Sequence, residues 1–257
     1  LISELHSIPT ALNLTVNERT FDETFKAISL STNLDIPNPS VFKFYQLNIA
    51  NKQIQLSDIT SFIRGSISKY VFSREEYRIR KEDDAYALDA LEILNNAYSL
   101  EDKVTAFSEI MVYAFLEGVL KAPKIMSSIE LKNNAGITSS KASSIHLLSN
   151  PTLPHSNKLV FGTAATKCTI VDAVKSVFEQ ITQIISNRKA EQQIIDRCIL
   201  NSSFDPNTTA FIKNILKPNK YSNLTYDASF GIFIGYSIDT SEKANYSIDE
   251  FPKYIMK

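Results

Sequence analysis

Tryptophan is absent from the chain, and cysteine, histidine and glycine are scarce, with two Cys, three His and six Gly in 257 residues. Cys168 and Cys198, 30 residues apart, have no CxxC spacing; a disulfide between them stays open, and a reduced thiol pair is the expected state. His6, His146 and His155 are too scattered for a zinc site, and His146 reads as a packed strand histidine. With so little glycine, connections fall to Asn- and Ser-rich breaks such as Ser31-Thr32-Asn33, Asn133-Asn134-Ala135-Gly136 and Asn201-Ser202-Ser203. No apolar run approaches the roughly 20 residues that span a bilayer. The longest, Ile110 to Leu120, is interrupted by Glu117. Leu1-Ile2-Ser3-Glu4-Leu5 has neither the basic nor the apolar region of a secretory signal, so a cytoplasmic protein with no membrane association is expected. GxSxG, HExxH, P-loop and GxGxxG signatures are all missing, which removes the motif basis for serine hydrolase, zincin and nucleotide-binding readings.

Charge is balanced, with 27 Lys and Arg against 28 Asp and Glu, a net −1. A protein that grips nucleic acid alone usually carries a basic surplus. Balance points instead to local basic patches or to a partner that does the gripping.

What is present reads as mixed α/β. In residues 1–50, Phe21, Phe25, Ile28 and Leu30 have near-helical spacing, and 41–47 alternates like a strand. From Leu56 the pattern turns helical. Ser57-Asp58 caps a helix with Ile59, Phe62, Ile63, Ile67, Tyr70 and Val71 on one face. Ser73-Arg74-Glu75-Glu76 is a capping box opening a second helix. Its Arg74, Arg78, Arg80 and Lys81 interleave with acids, as on a solvated face. Further helices follow over 85–98 and 100–120, the latter stopped by Lys121-Ala122-Pro123. Strands are expected over 124–132, 144–148 and 159–164. Then comes a helix with Ile170, Val174, Val177, Phe178, Ile181 and Ile185 as its apolar face. Helical stretches near 189–200 and 209–216 precede a strand at 231–236, so the order is αβββα…β.

The strand over 124–132 carries Glu130-Leu131-Lys132. In a strand, residues i and i+2 share a face, so a carboxylate and an ammonium would lie side by side. Such a pair suits a metal-assisted phosphodiester cut, with the carboxylate holding the ion and the lysine steadying the phosphate charge. An exposed edge-strand Glu/Lys pair is the plain alternative.

The run Tyr113-Ala114-Phe115-Leu116-Glu117, Lys121-Ala122-Pro123-Lys124-Ile125, Ser128-Ile129-Glu130-Leu131-Lys132, Ser144-Ile145-His146-Leu147-Leu148 and Leu159-Val160-Phe161-Gly162 resembles the core of the HamA family. That family supplies effectors of the Hachiman anti-phage defence system, and its domain resembles PD-(D/E)xK nucleases. The resemblance implies an α/β, restriction-endonuclease-like αβββαβ core over residues 99–257. It leaves 1–98 as a mostly helical α+β region suited to partner docking. It further implies an Mg2+-dependent deoxyribonuclease (Mn2+ as a substitute ion) acting on DNA and restrained by a HamB-like superfamily 2 helicase.

The chain departs from the family pattern at two places. Family members commonly carry an Asp just before the His-Leu-Leu strand, where Ser143-Ser144 stands here. They commonly carry Gly-Glu-x-Lys on the third strand, where Gly162-Thr163-Ala164-Ala165-Thr166-Lys167 stands here. Either Thr163 and Ala165 occupy the Glu and Lys places, or Ala165 and Lys167 do. Two site models follow. In one, Glu130 and Lys132 are the working pair, Lys167 assists, and Glu109 or Glu117 completes the metal shell with Glu130. In the other, the third-strand site is dead and the chain is a pseudo-nuclease that regulates or senses for the helicase.

Overall fold

The computed structural model describes residues 12–29, 41–135, 140–148, 158–187, 204–216, 228–236, 241 and 245–251. They fall into two compact units, one with residues 12–16 and the described residues of 66–236, the other with those of 17–65, 241 and 245–251. The expected helix over 189–200, Cys198, His6 and His155 lie outside the described residues.

The smaller unit begins with helix α1 (Glu18–Thr24), whose N-cap Asn17 accepts the Thr20 N–H at 2.9 Å. The helix ends sooner than the Phe21/Phe25/Ile28 spacing suggests. Phe25 is already extended, and β1 (Phe25–Ile28) pairs antiparallel with β2 (Phe44–Leu47). Phe62 packs edge-on against Phe21 and Phe25, at centroid distances of 5.9 and 5.2 Å, and the latter two rings meet tilted at 5.0 Å. A hairpin, β3 (Ile49–Ala50) and β4 (Gln53–Ile54), turns on Asn51 and Lys52, both at positive φ as a two-residue primed turn demands.

Helix α2 (Leu56–Val71) carries the chain from the smaller unit into the larger, whose share of it begins at Ser66. In the larger unit α3 (Arg74–Arg80) opens with the capping box, Ser73 and Glu76 bonded reciprocally. After α4 (Tyr86–Ala97) comes α5 (Lys103–Gly118), buried along most of its length. The Lys121-Ala122-Pro123 stop acts as expected, with Lys121 at φ 54°. Four strands then form one sheet in the order β5-β6-β7-β8: β5 (Lys124–Ser127), β6 (Ser144–Leu148), β7 (Lys158–Lys167) and β8 (Ala228–Tyr236). The first two pairings are antiparallel, and β7 pairs with β8 in parallel. Between them lie α6 (Ser128–Ala135), α7 (Ile170–Ser186) and α8 (Pro206–Leu216).

Side chains alternate along β7 as the pleat requires. Val160 and Ala164 pack on Val112 and Leu116 of α5, while Ala165 packs on Ala173, Val177 and Ile181 of α7. Glycine is needed where α5 crosses the sheet, because a Cβ at Gly231 would overlap Leu116. The buried stripe of α7 is Ala173, Val177, Ile181 and Ile184, so Ile170, Phe178 and Ile185 are exposed rather than part of the inner face. No helix among the described residues is long and apolar enough to cross a membrane.

The strand expected over 124–132 stops at Ser127. Ser127 Oγ accepts the Glu130 N–H at 3.2 Å, and Glu130 Oε1 accepts the Ser127 N–H at 3.1 Å. This second capping box turns the chain into α6, so Glu130 and Lys132 are two places apart on a helix, not a strand. At 100° per residue they stand on opposite sides of it.

Candidate functional site

Glu130 sits in the first turn of α6 with its side chain 4% exposed, and it pairs with Lys124, which is 0% exposed. The Lys124 ammonium has three acceptors: the Tyr70 carbonyl at 3.2 Å, the Phe72 carbonyl at 2.9 Å and Glu130 Oε1. Three acceptors use all the protons of a charged ammonium. Burial nonetheless lowers the Lys124 pKa and raises that of Glu130, each against the pull of the other.

Glu117 lies at the end of α5, fully buried. Its Oε2 accepts the Thr15 N–H at 2.5 Å, the Thr15 hydroxyl at 2.8 Å and the Val16 N–H at 2.8 Å. Its Oε1 accepts the Lys124 N–H at 2.8 Å and Arg74 at 3.1 Å. Burial alone would raise its pKa, but the Arg74 guanidinium and these backbone donors hold it below the ordinary carboxylate value. Arg74 also donates to the carbonyls of Lys124 at 2.7 Å and Asn13 at 2.6 Å. It is therefore no part of a solvated face, whereas Arg78 and Arg80 do pair with acids at exposed positions, Glu75 at 2.6 Å and Asp89 at 3.0 Å. Arg74 and Lys124 are the members of this group that residue spacing did not single out. Polar side chains flanking apolar runs give no signal of burial until the fold brings their partners together.

Glu109 lies on α5, half-buried. Its Oε2 is the shared acceptor of Tyr70 at 2.8 Å, Ser128 at 2.5 Å and Tyr98. Burial, reinforced by Glu109, raises the pKa of both phenols, so they act as donors. Lys132 is exposed, its Nζ 4.7 Å from the Tyr98 ring centroid. The tight hydrogen-bond groups thus centre on Glu117 and on Glu109, with Glu130 tied to the first through Lys124 and Lys132 in neither.

The third-strand positions are hydroxyl and methyl groups. Thr163 is fully buried with its Oγ1 unpartnered among the described residues, and Ala165 packs under α7. Lys167 is exposed at the end of β7. Ser143 N–H donates to the Gly162 carbonyl at 2.8 Å, which sets the serine against this part of β7. The Ser144 hydroxyl is 3.0 Å from His146 Nε2, and His146 Nδ1 is 2.7 Å from the Ala122 carbonyl. A carbonyl can only accept, so Nδ1 carries the proton and Nε2 accepts from Ser144. Burial pushes the His146 pKa down to about 4, consistent with a neutral packed ring.

A hard divalent cation needs several oxygen ligands, usually including a carboxylate. Glu117 has its lone pairs committed to five donors, Glu130 is neutralised by Lys124, and Glu109 Oε2 is ringed by hydroxyls. Among the described residues no three His, Cys, Asp or Glu side chains gather as a metal site. These side chains do not fit magnesium in this arrangement. Cys168 is free and exposed, with no nucleophile's partner described beside it.

The HamA family model matches residues 19–257. The chain belongs to the HamA family. Comparison with curated proteins and with solved structures found no match. HamA membership places the chain in Hachiman anti-phage defence.

Proposed function

We propose that this HamA chain serves Hachiman defence as a pseudo-nuclease, a nuclease-fold subunit that regulates or senses DNA for a HamB-like superfamily 2 helicase. One observation carries the reading. Where the resemblance expects Asp and Glu-x-Lys, Ser143 and Ser144 stand at the start of β6, and β7 carries either Thr163 and Ala165 or Ala165 and Lys167, each choice without the carboxylate. Among the described residues the order α5-β5-α6-β6-β7-α7-α8-β8, with only the last strand pairing parallel, supports a restriction-endonuclease-like core that carries an extra helix after β5. The carboxylates that remain are engaged with protein donors. Balanced net charge fits a chain whose partner supplies most of the grip on DNA.

The Mg2+- or Mn2+-dependent deoxyribonuclease is the second reading. It is favoured by the partly exposed Glu109 carboxylate and by Lys167, exposed at the end of the strand on which the resemblance expects a lysine. Phage challenge of cells expressing the whole system separates the two. Glu109→Gln and Lys167→Ala variants keep full protection if the chain is a pseudo-nuclease. Loss of protection by both variants, with normal protein levels and normal far-UV circular dichroism, supports the nuclease and defeats the pseudo-nuclease.

A further inference from the structure

We infer that residues 12–16 form a strap latched onto the larger unit by the Glu117 carboxylate, able to open without unfolding the sheet behind it. Residues 13–16 belong to no helix or strand. The anchors described for them are side chains of α3 and α5. Glu117 Oε2 alone receives three of their donors, from Thr15 N–H, Thr15 Oγ1 and Val16 N–H. Tyr113 meets the Thr15 hydroxyl at 2.6 Å, and Arg74 meets the Asn13 carbonyl. Leu12 closes the strap by inserting into the core beside Ile125, Leu131 and Ala142.

A segment pinned by side-chain bonds, without a ladder of its own, opens at lower free energy than the strands it covers. The latch is also tied inward, since Glu117 Oε1 holds the Lys124 N–H of β5 and the Arg74 guanidinium. Releasing the strap therefore perturbs the start of β5 and of α3 together. The strap is the last stretch of the larger unit before the chain passes at Asn17 into the smaller one. Its opening is a conformational step available to a defence subunit. The strap rests on the bonds of Glu117 to residues 13–16 and not on whether the chain cuts DNA, so it stands or falls separately from the proposed function.

Hydrogen exchange of the full chain, read by mass spectrometry, tests the strap. In the native protein, amides of residues 12–16 should exchange at least tenfold faster than those of β7. Thr15→Val, which removes only the hydroxyl bonds to Glu117 and Tyr113, should speed the strap about tenfold more and leave β7 unchanged. Thr15→Ser should behave like the native chain. A strap that exchanges at the β7 rate, or a Thr15→Val change that accelerates both alike, would show that it opens only with the whole fold and overturn the latch.

Discussion

The Lys124 ammonium and the Glu130 carboxylate pair across the junction of β5 and α6, out of reach of water. A buried pair of this kind is weak evidence for stability as such, but breaking it from one side strands a charge in the core. Lys124→Met should cost about 3–5 kcal/mol of unfolding free energy. The double change Lys124→Met, Glu130→Leu should cost much less than the sum of the single changes. Urea unfolding of the four proteins measures the cycle. Strict additivity would mean that the two groups do not interact.

His146 sets an acid limit on stability. Its folded pKa of about 4 lies below the ordinary 6.5, so between those values the unfolded chain binds a proton that the folded chain does not. The contribution is complete above pH 6.5 and is lost as pH falls toward 4, roughly 3 kcal/mol in all. Glu117, held below its ordinary value, adds a further loss below about pH 4.5. His146→Asn should flatten the slope between pH 6.5 and 4.5 while leaving the loss below it, which a series of thermal melts would show.

Thr163 is a buried hydroxyl without a partner among the described residues. An unmade buried hydrogen bond costs about 1–3 kcal/mol, so the isosteric Thr163→Val should leave stability unchanged or raise it by about 1 kcal/mol. Phage protection should persist, since a pseudo-nuclease asks no chemistry of this position. A clear loss of stability would reveal a polar partner for the hydroxyl.

Gly231 lets α5 lie against the sheet. Gly231→Ala would press its Cβ into Leu116 and should cost about 1–3 kcal/mol, part of which Leu116→Ala restores if added to it. Denaturant midpoints of the single and double variants read the coupling.

Much of the larger unit was legible in the sequence because its signals are local. The Ser73-x-x-Glu76 box, the short apolar run at 144–148 and the Pro123 stop each act over a few residues, and each appears where expected. The error at Glu130 has the same origin. Ser127-Ser128-Ile129-Glu130 is a capping box as plain as the one at Ser73, but the short apolar alternation before it reads as a continuing strand. That misreading placed Glu130 and Lys132 on one face. The α7 face was misread because Phe178 and Ile185 are apolar yet lie off the stripe that reaches β7. The roles of Arg74 and Lys124 were not legible, since their partners are up to about 60 residues distant and meet only in the folded chain.

The central claim of the proposed function is that neither the β6 and β7 positions nor Glu109 holds a catalytic metal. Titration of the purified chain with Mn2+, followed by electron paramagnetic resonance of the free ion, tests it most directly. The account predicts that Mn2+ remains free up to millimolar concentration, in the native chain and in Glu109→Gln alike. Stoichiometric Mn2+ uptake by the native chain, abolished in a folded Glu109→Gln variant, would contradict it.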